Sequence, residues 1–172
     1  MTIEPDTKDW TWVLQERCPE CGLVAADVDP RTLGDLVRGA LPRWRAVLAR
    51  PDASRRPDPT TWSPAEYGCH VRDVLTVFEG RVALMLAEDD PEFENWDQDA
   101  TAESSRYAEQ DPAVAADELA AAGERTAAAF DAVPDDAWER TGRRSNGSRF
   151  TVRTLGQYFW HDVAHHLVDV DG

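Results

Sequence analysis

At 172 residues the chain suits one domain with a full hydrophobic core. Its 18 basic residues against 33 acidic ones leave a net charge of −15, a surface that repels phosphate backbones and anionic membranes and argues against nucleic-acid binding. No apolar run reaches the ~18 residues that a membrane span requires, and the opening Met1-Thr2-Ile3-Glu4-Pro5-Asp6 lacks the basic and apolar parts of a signal peptide; a cytoplasmic protein is expected.

Residues 1–29 read as an irregular N-terminal extension holding Trp10, Trp12 and the turn Cys18-Pro19-Glu20-Cys21-Gly22. From Thr32, Leu33, Leu36, Val37, Ala40, Leu41, Trp44, Val47 and Leu48 keep to one stripe at helical steps, with Pro42 predicting a kink or break. A Pro- and Arg-rich linker covers residues 50–61. Ser63-Pro64-Ala65-Glu66 is a capping box with proline at the first helical position, and the helix it opens should run to about Ala87. Residues 88–99 form an acidic loop that lacks the central glycine and ligand spacing of a calcium-binding EF-hand. Asp111-Pro112 opens an alanine-rich third helix that stops before Pro134. Pro134 to Trp138 resembles a short helical turn, and residues 141–148 a polar Gly/Arg loop. Thr151 caps a fourth long helix, from Val152 to about Val170. With no convincing period-two stretch, the expected class is all-α, a four-helix bundle over residues 30–172.

The chemistry concentrates in histidines. His161 and His165 stand four residues apart on one helix face, where two imidazoles can grip one metal ion. His70, mid-way along the second helix, would complete a triad with open coordination positions. Asp162 follows His161 where a zinc protease of the His-Glu-x-x-His type has glutamate, so that chemistry is not expected. Asp73 and Glu66 flank the face of His70. Asp73 could orient a histidine, serve as a fourth ligand or act as a general base, whereas the capping box already engages Glu66. His166, about a hundred degrees round from His165, would line a rim or face solvent. Trp62, Trp96 and Trp160 could wall a pocket, and Arg72 and Arg153 could hold a substrate carboxylate. Without a metal, the same histidines would form a polar core network. The cysteines leave three readings open: a turn with part-buried thiols, a redox pair, or half of a metal site needing Cys69 and a histidine.

On Trp62-Ser63-Pro64-Ala65-Glu66 leading to His70-Val71-Arg72-Asp73-Val74, and on Thr154-Leu155 leading to His161-x-x-x-His165, the chain resembles the DinB/YfiT-like superfamily over roughly residues 30–170. The resemblance implies a four-helix bundle with a divalent metal held by His70, His161 and His165. Cys18-Pro19-Glu20-Cys21-Gly22, the run from Asn95 to Ala102 and Glu109-Gln110-Asp111-Pro112 are similar to an actinobacterial branch of that superfamily. Its relatives include mycothiol-dependent maleylpyruvate isomerase and mycothiol or bacillithiol S-transferases. The resemblance therefore implies a metal-dependent enzyme acting on a small molecule, with zinc or nickel as cofactor and a low-molecular-weight thiol as co-substrate. A homodimer through an apolar helix face is also expected. The alternative is a non-catalytic metal- or ligand-binding bundle with a stress-related or interaction role, docking through loop 88–99.

Overall fold

Among the described residues, local side-chain caps set where four of the five helices begin. The computed structural model describes Ile3, Pro5 and residues 8–172. Its helices are α1 (Leu33–Leu48), α2 (Pro64–Ala87), a short α3 (Gln98–Ser104), α4 (Pro112–Asp131) and α5 (Val152–Asp169). Ser63 Oγ accepts the Glu66 N–H while Glu66 returns a carboxylate oxygen to the Ser63 N–H at 2.8 Å, closing the capping box of α2. Asp111 caps α4 by accepting the Ala113 N–H, and Thr151 and Thr154 form the reciprocal pair that starts α5. Pro42 does not break α1 as expected. It lies on the exposed face, where water can satisfy the carbonyl one turn earlier that loses its N–H partner.

The four long helices form the expected bundle. α4 packs on both α1 and α2, and α5 packs on α2 and, less extensively, α1. Alanines on α4 bring its backbone close to its neighbours, and the core fills with Trp44, Leu75, Phe78, Leu119, Phe130, Leu155 and Phe159. The Phe159 ring lies 5.3 Å from Phe78 and 5.2 Å from Phe130, joining α2, α4 and α5.

Three departures from the sequence expectations bear on the site. The polar stretch 141–148 is largely a hairpin: β2 (Thr141–Arg144) pairs antiparallel with β3 (Arg149–Thr151) and parallel with β1 (Glu92–Phe93). Only Phe93 and Phe150 among the sheet's large apolar side chains are buried, too few to give an apolar alternation. The acidic loop contains α3, which Asp97 caps by accepting the Ala100 N–H. The extension holds short 3-10 turns at Trp10–Leu14 and Ala25–Asp27. Residues 134–138 form the kind of turn the sequence suggested, with the Ala137 N–H donating to the Pro134 carbonyl. Among the described residues no helix is long and apolar enough to cross a membrane.

Candidate metal centre

Helix α5 organises the site because three of its faces have different neighbours. Leu155, Phe159, Val163 and Leu167 are buried in the bundle core. Tyr158, Asp162 and His166, at steps of four, form a second stripe toward His70 of α2. Gln157, His161 and His165 form a third, which the N-terminal extension covers. Gln157 fixes that cover by donating to the carbonyls of Ala26 and Val28 at 3.1 and 2.9 Å.

The three histidines expected in one triad therefore divide. Among the described residues, potential metal donors converge in two groups, each with ligand atoms within 4.8 Å of one another. His70, Asp162 and His166 make the first; Cys18, Cys21, His161 and His165 make the second. His70 does not join His161 and His165, because successive residues on a helix project about 100° apart and α2 meets the 162/166 stripe. His166, expected at a rim or in solvent, instead belongs to the His70 group.

In that first group, Nε2 of His70 and Nε2 of His166 each lie 3.3 Å from Oδ1 of Asp162. His166 donates its other ring N–H to Asp169 at 2.7 Å. That bond holds the ring with Nε2 toward Asp162, the usual carboxylate support of a metal-binding histidine. Burial would raise the Asp162 pKa, but hydrogen bonds from His166 and His70 outweigh it and hold the carboxyl well below the usual range. Burial opposes protonation of His166, yet Asp162 and Asp169 overcome it and push the imidazole up to about 9. Burial lowers the pKa of His70, whose Nδ1 has no partner. The donor set, two imidazoles and one carboxylate, fits a divalent transition ion and leaves coordination positions open.

Trp62 and Trp96 flank the His70 ring at 5.4 and 5.5 Å, Trp96 nearly parallel to it. Both indoles also line a cleft of about 1360 Å³, together with Trp10, Tyr107, Tyr158, Arg56 and Arg144. Trp160 packs against the core and is not part of that wall. The Asp162 and His166 side chains keep 22% and 19% of their surface accessible, enough for a small ligand to reach them.

Other expected site residues have different work. Arg72 Nε donates to Asp73 at 2.8 Å and the Tyr107 hydroxyl donates to its second oxygen, so Asp73 is held by α2 and its neighbours and lies outside both donor groups. Arg56 and the Ser63 N–H occupy Glu66. Arg72 also binds Gln110 and Glu118, Arg153 binds Glu139, and neither lines the cleft. Sequence reasoning missed Asp162 and Asp169. The signal was present, since Asp162-x-x-x-His166 has the same spacing as His161-x-x-x-His165.

The fold agrees with known proteins. YfiT from Bacillus subtilis, described as a probable metal-dependent hydrolase with an unusual four-helix bundle topology, superposes with a TM-score of 0.70 at 18% identity, covering 81% of this chain and 82% of that one. No curated protein sequence matches the chain. The sequence model of the DinB superfamily matches residues 35–169, which spans α1 to α5 almost completely. The chain belongs to the DinB superfamily.

Proposed function

We propose that the chain is a divalent-metal-dependent enzyme acting on a small molecule, with His70, Asp162 and His166 as the metal ligands. The observation that carries this is the convergence of those three donors beside indoles that also wall a large cleft. A divalent ion bound there would supply Lewis acidity and lower the pKa of a water or thiol. Asp169 holds the His166 ring so that Nε2 faces the donor group. Trp62 and Trp96 fix the plane of His70 and exclude water from one side of it. Arg144, buried at the cleft wall, hydrogen-bonds neutral Asn146 and Ser148, so its charge is available to a substrate carboxylate.

Zinc or nickel suits the imidazole pair, and the carboxylate also admits iron or manganese. The finer proposal is transfer of a low-molecular-weight thiol to an electrophile; hydrolysis, the activity suggested for YfiT, uses the same site with water as nucleophile. A tag-free Cys18→Ser/Cys21→Ser protein, loaded in turn with zinc, nickel, manganese and iron(II), separates them. Turnover of activated esters or electrophiles that needs added thiol supports transfer, and thiol-independent turnover supports hydrolysis. Turnover that persists in Asp162→Ala and His166→Ala, or a parent that binds none of these ions, refutes the assignment.

A further inference from the structure

The second donor group lies on the neighbouring face of α5, about 100° round from the Asp162/His166 stripe. We propose that Cys18, Cys21, His161 and His165 bind a structural zinc ion that clamps the N-terminal extension to α5. Two thiolates spaced C-x2-C and two imidazoles spaced H-x3-H form a complete four-ligand set with the spacings that structural zinc uses.

The geometry is already close to what the ion requires. Sγ of Cys18 lies 3.6 Å from Nδ1 of His165. A tetrahedral centre with Zn–S of about 2.3 Å and Zn–N of about 2.05 Å separates sulfur from nitrogen by about 3.6 Å. On the far side of that ring, Nε2 of His165 lies 3.3 Å from a Glu20 carboxylate oxygen and 3.7 Å from one of Asp169. These nearby carboxylates favour the proton on Nε2, which leaves Nδ1 free to bind metal. His161 is 4% exposed, and its Nε2 is buried with no hydrogen-bond partner. An unsatisfied buried nitrogen beside two thiols is destabilising unless something ligates it.

The turn that carries the cysteines is preformed. The Gly22 N–H donates to the Cys18 carbonyl at 2.8 Å, the Cys18 N–H donates to the Leu23 carbonyl at 2.9 Å, and Gly22 takes φ +75°, where a Cβ would be strained. Trp10 closes the site, its ring 5.9 Å from His161 and 5.4 Å from His165. Four protein ligands leave no position for substrate, so the role is structural, unlike that of the His70 group. Zinc binding converts two thiols to thiolates and releases both protons to solvent, with no change in oxidation state.

The test uses full-length, tag-free, reduced protein carrying His70→Ala and His166→Ala to empty the other group. Elemental analysis should find one zinc per chain, and X-ray absorption at the zinc edge should show two sulfur and two nitrogen neighbours at about 2.3 and 2.0–2.1 Å. Zinc at background after reloading, or zinc with nitrogen and oxygen neighbours alone, overturns the proposal. Should the double variant fail to fold, the same absorption measurement on the wild-type protein decides whether sulfur ligates zinc. Cys18→Ser/Cys21→Ser should lose this zinc and speed tryptic cleavage after the exposed Arg17 on the order of tenfold, as the extension opens locally. Unchanged cleavage with zinc lost would overturn the clamp.

Discussion

Removing the Asp169 carboxylate tests how α5 supports its two donor groups. Asp169 Oδ2 accepts the His166 Nδ1–H at 2.7 Å but lies 3.7 Å from His165 Nε2, which has Glu20 nearer at 3.3 Å. Asp169→Ala therefore strips the His70 group of its supporting carboxylate and leaves the Cys18 group with its better one. Loss of such a partner weakens metal binding about 10- to 100-fold, or about 1.4–2.8 kcal/mol. Because the Asp169 side chain is 27% exposed, water can partly replace it, which favours the lower half of that range. The assay is competitive titration of zinc against a chromogenic chelator in two backgrounds. Cys18→Ser/Cys21→Ser leaves only the first group and His70→Ala/His166→Ala only the second. A drop of about tenfold in the first and under about threefold in the second is expected. Equal loss in both backgrounds, or no loss in the first, would refute this division of support.

Further outcomes follow from the packing. A Cβ on Gly156 would meet Leu33 Cδ1 at 2.4 Å and Phe130 Cε1 at 3.0 Å, so Gly156→Ala should cost about 1–3 kcal/mol in urea unfolding despite better helix propensity. Gly80 has nothing within 4 Å of such a Cβ, and Gly80→Ala should stabilise by up to about 1 kcal/mol; the same sign for both would contradict the packing. Phe159→Ala empties a fully buried position between Phe78 and Phe130 and should cost about 3–5 kcal/mol, read as a lower urea midpoint. Burial raises the Glu66 pKa, but Arg56 and the Ser63 amide outweigh it and leave it lowered. A lowered folded pKa gives stability that is present above the ordinary value near 4.5 and lost as pH falls through the folded value. The stability gap between wild type and Glu66→Gln should thus be constant near neutrality and shrink below about pH 4.5; a gap that widens in acid would rule this out.

Helix starts were legible because they are local. Ser63 and Glu66, Asp111 with Pro112, and Thr151 each satisfy backbone groups within three residues, so a short window holds the whole interaction. The hairpin was not, since its strands depend on one inward phenylalanine and on pairing with residues 51 positions earlier. The metal-donor residues were half legible. The sequence shows that α5 carries donors four apart, but 161/165 and 162/166 satisfy that spacing equally, and the choice depends on which face meets α2. That orientation comes from Leu155, Phe159, Val163 and Leu167 seating in the core and from Gln157 anchoring the extension. Cys18 and His165 lie 147 positions apart, so no local pattern could join them.

The two donor pairs on α5 are offset by a single residue, and with both filled this offset would make the helix a thermodynamic link between them. An ion held by the 161/165 pair would reinforce the rotation of α5 that core packing sets, and that rotation aims Asp162 and His166 at His70. Part of the ordering that the second ion requires is then already in place, so filling one group should tighten the other. Reciprocity requires the same factor in both directions. The N-terminal extension, outside the bundle core, would by this route tune the metal affinity of the His70 group.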